Sequence, residues 1–151
     1  MSNLINQDKF QSQLTINEKN ENLVHGGLRL KNIFKKKKNH FLISIITVVF
    51  NGEKYLEETI KSVINQTNKN FEYIIVDGGS TDRTLDIIKK YDQQIDYWIS
   101  QEDKGIYDAF NKGLKLVSGD VIGIVNSDDT YNNECFEIVK NYFKKNDNLD
   151  F

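Results

Sequence analysis

The chain has 151 residues, is 38% hydrophobic and 28% charged, and carries a formal net charge of −2. This length sets a single domain as the expectation, and the near-neutral balance removes any global electrostatic case for nucleic acid or an anionic membrane as partner. One cysteine, Cys135, excludes an intrachain disulfide and a cysteine-built zinc site.

Residues 1–41 form a polar segment rich in Asn, Gln and Lys, with no sustained apolar period. Such composition buries too little apolar surface to offset ordering entropy, so disorder is expected. Residues 28–34 read as a short amphipathic helix beside the run Lys35-Lys36-Lys37-Lys38. The run reads as a solvated basic linker. Its other reading is a peripheral anchor at an anionic membrane face, each lysine adding about 1 kcal/mol. His25 and His40 read as solvent-exposed and inert. No segment has the apolar length of a membrane-spanning helix. The N-terminus lacks a signal-peptide layout, so a cytoplasmic location is expected.

Residues 44–50 (SIITVVF) predict a buried strand, broken by Asn51-Gly52. Residues 53–66 place Tyr55, Leu56, Ile60, Val63 and Ile64 on one helical face. Residues 71–76 are a second strand, closed by Asp77-Gly78-Gly79-Ser80. Thr81 or Ser80 then caps a helix carrying Leu85, Ile87, Ile88 and Tyr91, with Asp82 near its positive end. A third strand spans 95–99, a helix 106–117, a fourth strand 121–125 and a last amphipathic helix 135–143. Cys135 sits in that helix as a small buried residue rather than a nucleophile.

Strands alternating with helices imply parallel pairing and right-handed crossovers. All the strand-end loops then fall on one edge, where open α/β sheets bind ligands. Those loops are 50–52, 77–80, 101–105 and 127–129. There is no GxGxxG after the first strand and no GxxxxGK[ST], which disfavours a dinucleotide site and a P-loop. The fourth strand ends in Asn126-Ser127-Asp128-Asp129. Adjacent carboxylates at a buried strand end call for a cation, and Mg²⁺ is commonly held by one or two carboxylates plus substrate phosphate oxygens. A solvated turn or a helix N-cap is the alternative reading of the same residues.

Three ordered segments, ISIITVVFNGEKYLEETIKSVINQT, FEYIIVDGGSTDRTLDII and DKGIYDAFNKGLKLVSGDVIGIVNSDD, resemble the nucleotide-binding half of family 2 glycosyltransferases. The resemblance covers roughly residues 42–147. It implies an α/β fold of the GT-A type, a Rossmann-like three-layer sandwich with a mostly parallel sheet. The domain, 42–151, would be incomplete at its C-terminus. The implied reaction moves a sugar from a nucleotide-diphosphate sugar to a saccharide or lipid-linked acceptor, with inversion and assistance from Mn²⁺ or Mg²⁺. Surface polysaccharide biosynthesis is the implied setting.

The resemblance also distributes roles. Val48, Phe50 and Asp77 would hold the base, Phe50 by stacking and Asp77 by accepting a pyrimidine N–H. Core packing for Phe50 and an Asx-turn for Asp77 stay open. Lys104, Gly105, Asp108 and Asn111 would lie under the donor, although Lys104 also reads as solvated and Asn111 as a partner of buried backbone. Asp128 would contact ribose or the second shell, and Asp129 would ligate the metal. The general base is expected to be absent, since the family carries it in the acceptor half. The alternatives are a catalytically incomplete nucleotide-sugar-binding remnant, one half of a split enzyme, or a protein that completes its sheet with a partner chain. The unpaired last strand is expected to leave apolar surface exposed.

Overall fold

The computed structural model describes residues 22–35 and 41–146. Its elements are β1 (Val24–Gly26), a 3-10 turn (Leu28–Lys31), β2 (Ile43–Val49), α1 (Leu56–Ile64), β3 (Phe71–Asp77), α2 (Thr84–Lys90), β4 (Tyr97–Ser100), α3 (Ile106–Leu114), β5 (Val121–Ile124) and α4 (Cys135–Lys145). They form a five-stranded sheet in the order β1-β4-β3-β2-β5. β2 pairs in parallel with β3 and β5, and β3 with β4; β1 runs antiparallel to β4.

The central strands explain the layering. Every residue of β2 and β3 is buried, and successive side chains alternate between faces. Ile43, Ile45, Val49, Tyr73 and Ile75 pack with Leu56, Ile60 and Val63 of α1, Ile88 of α2 and Phe136 of α4. Ile46, Val48, Ile74 and Val76 pack on the other face with Tyr97, Ile99 and Ala109 of α3. The sheet is thus the middle of three layers, as the α/β reading required.

The N-terminal expectation fails for the described part of the segment. Residues 24–31 are ordered: Val24–Gly26 pair along β4 and close that edge of the sheet, and the turn Leu28–Lys31 bonds to the Ile95 and Asp96 carbonyls. Arg29 is the cause. The residue is 3% exposed, and its guanidinium donates to Glu72 Oε2 at 2.8 Å and to the Leu116 carbonyl at 2.6 Å. Glu72 also accepts from the hydroxyls of Ser44 (2.6 Å) and Ser118 (2.7 Å). A lone Arg in a polar stretch gives no sign in sequence that its charge partner lies on a buried strand. His25 is not inert either: half-buried, its Nδ1 lies 2.7 Å from the Tyr97 hydroxyl. The disorder expectation for residues 1–21 and 36–40, the readings of His40 and of Lys36, Lys37 and Lys38, and the chain's last residues lie outside the described residues. Lys35 is exposed.

β5 departs from the fully buried strand expected. It is parallel, but among the described residues it pairs with β2 alone. Ile122 and Ile124 are 43% and 48% exposed, because α3 covers the centre of the sheet rather than its edge. The expected exposed apolar surface is therefore present, and Ile138 and Tyr142 of α4 add to it. Cys135 is half-buried, and burial pushes its thiol up, away from nucleophilic behaviour. No helix among the described residues is long and apolar enough to cross a membrane.

Two predictions follow from the polar groups inside this core. Arg29→Ala removes the cation that meets the buried Glu72 carboxylate, and the expected loss is about 3–5 kcal/mol in urea unfolding; a loss under about 1 kcal/mol would show that the pair does not hold the N-terminal strand in place. Asp96 is the second site. Its Oδ2 accepts from Tyr73 N at 2.8 Å, while Oδ1 has no hydrogen-bond partner among the described residues. Burial raises its carboxyl to about 6, against lowering contributions from Lys35, the Tyr73 N–H bond and Arg29 and a further rise from Glu72. From the ordinary carboxylate range up to about pH 6 the folded chain keeps a proton that the unfolded chain has released. This site's contribution to stability therefore falls as pH rises through that window. Asp96→Asn removes that slope, so unfolding measured from pH 4 to pH 7 is expected to show the variant gaining on the wild type by about 1–3 kcal/mol. A pH-independent difference would contradict this.

Candidate functional site

The carboxyl ends of β2, β3, β4 and β5 open onto one cleft of about 820 Å³, within the ~300–1,000 Å³ range of small-molecule sites. Val48, Val49 and Phe50 supply its wall from β2, and Gly78, Gly79 and Thr81 from the loop after β3. Glu102, Asp103 and Gly105 come from the loop after β4, with Ile106 and Ala109 of α3 behind them. Asn126, Ser127 and Asp128 come from the turn after β5. The four loops expected to share an edge do share one.

Hydrogen bonds between loops hold this arrangement. Asn51, in the left-handed region at φ 52°, donates its N–H to Ser80 Oγ at 2.7 Å and accepts from Thr81 N on its Oδ1 at 2.9 Å. Gly52 N donates to Thr84 Oγ1 at 2.8 Å, and Gly78 N to the Val49 carbonyl at 2.9 Å. Gly79, at φ 83°, leaves room for the next loop: a Cβ there would fall 2.9 Å from Glu102 N. An L side chain at that φ is strained in any case.

Asp77 lies beneath these loops. It is 0% exposed, outside the cleft wall. Its carboxylate accepts from Ser80 N at 3.2–3.3 Å, from the Ser80 hydroxyl, and from the Ser100 hydroxyl at 2.6 Å. The turn alternative for Asp77 is the geometry found, with Ser100 as a partner the sequence reading missed. Phe50 goes the other way. It is 65% exposed at the cleft, so core packing is excluded and its ring face is available. Val48 reaches the cleft although it is 6% exposed.

The segment 103–113 divides. Gly105 is on the cleft wall at φ 103°, with open space where a Cβ would point. Lys104, Asp108 and Asn111 are not on that wall. Asp108 turns back on its own helix, accepting from Lys104 N at 3.2 Å and pairing with Lys112 at 3.2 Å, and these partners hold its carboxyl below the usual range. In the 126–129 turn Asp128 is exposed and lines the cleft. Asp129 is exposed but outside the lining, its Oδ2 accepting from Asn126 Nδ2 at 3.1 Å. Glu102 and Asp103 are the carboxylates the residue assignments left out, although their loop was placed on the cleft edge. No cluster of three or more metal-ligating side chains is assembled among the described residues.

Asp77→Ala strips three donors of their acceptor. Its expected cost is about 1–3 kcal/mol, with faster amide exchange at Ser80 and Asn51. Unchanged stability and exchange would mean that the loops hold without it.

The glycosyl transferase family 2 model matches residues 44–150. An uncharacterised glycosyltransferase of Haemophilus influenzae is 35% identical over 111 residues, 72% of this chain and 34% of the relative. TuaG of Bacillus subtilis, a putative teichuronic acid biosynthesis glycosyltransferase, is 36% identical over 99 residues, 64% of this chain and 39% of the relative. Among solved structures, residues 1–349 of S. aureus TarS in complex with UDP-GlcNAc superpose with a TM-score of 0.64 at 29% identity, covering 70% of this chain and 32% of that one. The mannosyltransferase PcManGT of Pyrobaculum calidifontis, solved with GDP-Man and Mn²⁺, shares the fold at a TM-score of 0.61 and 18% identity, covering 67% and 32%. The chain thus spans about a third of the length of the relatives and structures it matches.

Proposed function

The chain belongs to glycosyltransferase family 2, and from that premise we propose that its cleft binds a nucleotide-diphosphate sugar for transfer of the sugar, with inversion, to a saccharide or lipid-linked acceptor. The observation that carries this reading is the fusion of four strand-end loops into one cleft with an exposed aromatic ring, Phe50, and an acidic turn at 126–129. The ring face suits a planar base. TarS, with its bound UDP-GlcNAc, supports a sugar nucleotide as ligand. TuaG supports a place in surface polysaccharide synthesis.

The donor set fits a hard divalent cation. Asp128 and Asp129 offer oxygen ligands, and no third histidine, cysteine or carboxylate gathers with them among the described residues, so Mn²⁺ or Mg²⁺ held there would draw the rest of its ligands from substrate phosphate and water. The Asn126 amide donates to Asp129 Oδ2 at 3.1 Å and fixes that carboxylate within the turn. We assign Asp129 to the cation and Asp128 to the ribose or to the cation's outer shell. When bound, the cation offsets charge on the departing nucleoside diphosphate. The chain's own part is to hold the base at Phe50 and Val48, and to orient the diphosphate toward the acidic turn.

Calorimetry with UDP tests this. Binding is expected with Mn²⁺ or Mg²⁺ and to weaken by about tenfold or more in EDTA. Asp129→Asn is expected to remove that metal dependence, and Asp128→Asn to weaken binding in both conditions. Equal affinity with and without metal would end the cation assignment, and absence of nucleotide binding would end the functional reading.

A further inference from the structure

The strand order separates the two acidic parts of the cleft. The loop after β4 and the turn after β5 lie three strand spacings apart across β3 and β2, about 14 Å at ~4.8 Å per spacing. That is the scale of an extended nucleoside diphosphate. The diphosphate belongs at the 126–129 turn, where a cation offsets the charge. The base then falls toward the loop after β4, where Glu102 and Asp103 would repel phosphate. Asp77 is not free to read that base, since it is fully buried and both carboxylate oxygens are engaged by Ser80 and Ser100.

Asp103 has the geometry that Asp77 lacks. It lines the cleft, and its Oδ1 is fixed by Gly105 N at 2.7 Å. Its Oδ2 sits over Gly78, where a Cβ would come within 2.5 Å of it. The missing side chain at Gly78 is what lets the carboxylate lie there. Oδ2 accepts no hydrogen bond from the described residues, so one oriented, charged acceptor remains for a ligand. One acceptor suits one donor. The imide of uracil or thymine presents a single N–H between two carbonyls. Cytosine presents an acceptor nitrogen at that position, and guanine presents two adjacent donors that need both carboxylate oxygens.

We propose that Asp103 selects the base, its Oδ2 accepting the imide N–H of a uracil- or thymine-type nucleotide while Gly78 leaves room for the carboxylate. This assignment rests on the nucleotide-sugar reading of the cleft. Asp103 is a specificity residue, and the proposal gives it no part in bond breaking.

The test uses the full 151-residue chain, with UDP, dTDP, CDP and GDP titrated calorimetrically in Mn²⁺. UDP and dTDP are expected to bind roughly 10- to 100-fold tighter than CDP, the ratio of one charge-assisted hydrogen bond. Asp103→Asn keeps an oxygen for Gly105 N and turns an NH₂ toward the base. It should weaken UDP and dTDP by about tenfold or more, strengthen CDP and so reverse the order. CDP binding the wild-type chain as well as UDP does, or Asp103→Asn keeping the UDP preference, would overturn the assignment and leave the nucleotide reading intact. Failure of all four nucleotides to bind the wild type would overturn both. The urea midpoint reports whether Asp103→Asn folds. If it does not, Gly78→Ala decides instead: crowding Oδ2 should lower UDP affinity by about tenfold with CDP unchanged, and an unaltered UDP-to-CDP ratio counts against the proposal.

Discussion

A buried carboxylate sets the shape of the cleft. Asp77 has no contact with solvent, and a charge in that position is costly unless donors surround it. The donors come from Ser80 on its own loop and Ser100 at the end of β4. Ser80 Oγ in turn takes the Asn51 N–H from the loop after β2. One carboxylate therefore ties three loops at a common depth, and the parallel register brings their strands to that depth together. With Asp77 committed inward, the acidic groups left facing the cleft are Glu102, Asp103 and Asp128, beside the Phe50 ring. The chemistry available to a ligand is what remains after the loops are braced.

The amino ends of the strands are held by a second buried charge system. Arg29 reaches Glu72 on β3 and the Leu116 carbonyl after α3, and Glu72 also gathers Ser44 of β2 and Ser118. Arg29 lies ahead of the residues matched by the family model, 44–150. The preceding segment is thus bound into the domain from outside its family core. It covers the edge of β4, which would otherwise present unpaired backbone. Asp96 is the weak point of this end. Its carbonyl accepts from Arg29 N while one carboxylate oxygen has no partner among the described residues.

The fold was legible because the β-branched runs 44–50 and 71–76 and the polar, Gly-containing loops after them carry their signal locally. The same is true of the cleft's position, which follows from β/α alternation alone. Reading failed where a side chain's partner is distant in sequence. Arg29 and Glu72 are 43 positions apart, and Asp77 and Ser100 are 23 apart. No local pattern marks either pair. The resemblance assigns Asp77 to the base and Asp128 to the ribose, and both are acids that follow an apolar strand. What separates them is a neighbouring strand carrying Ser100 on one side of Asp77, and no such neighbour beyond β5 among the described residues. β5 misled in the opposite direction, since an apolar run does not reveal whether its strand is central or at an edge.

That contrast in bracing divides the cleft by rigidity. The wall formed by β2, β3 and β4 is cross-tied by Asn51, Gly52, Gly78 and the Asp77 carboxylate. The acidic turn hangs from a four-residue edge strand, held to its surroundings by Val125 N on the Ile46 carbonyl and by the Thr59 hydroxyl on the Asp129 carbonyl. Local stability follows buried contacts and protected hydrogen bonds, so the turn has less to hold it than the wall of β2, β3 and β4. Selection by shape and hydrogen bonding needs fixed groups, and the braced wall is where the structure supplies them. On that wall the Asp103 carboxylate is held by Gly105 N at 2.7 Å and lies over Gly78, whose N–H is itself tied to the Val49 carbonyl.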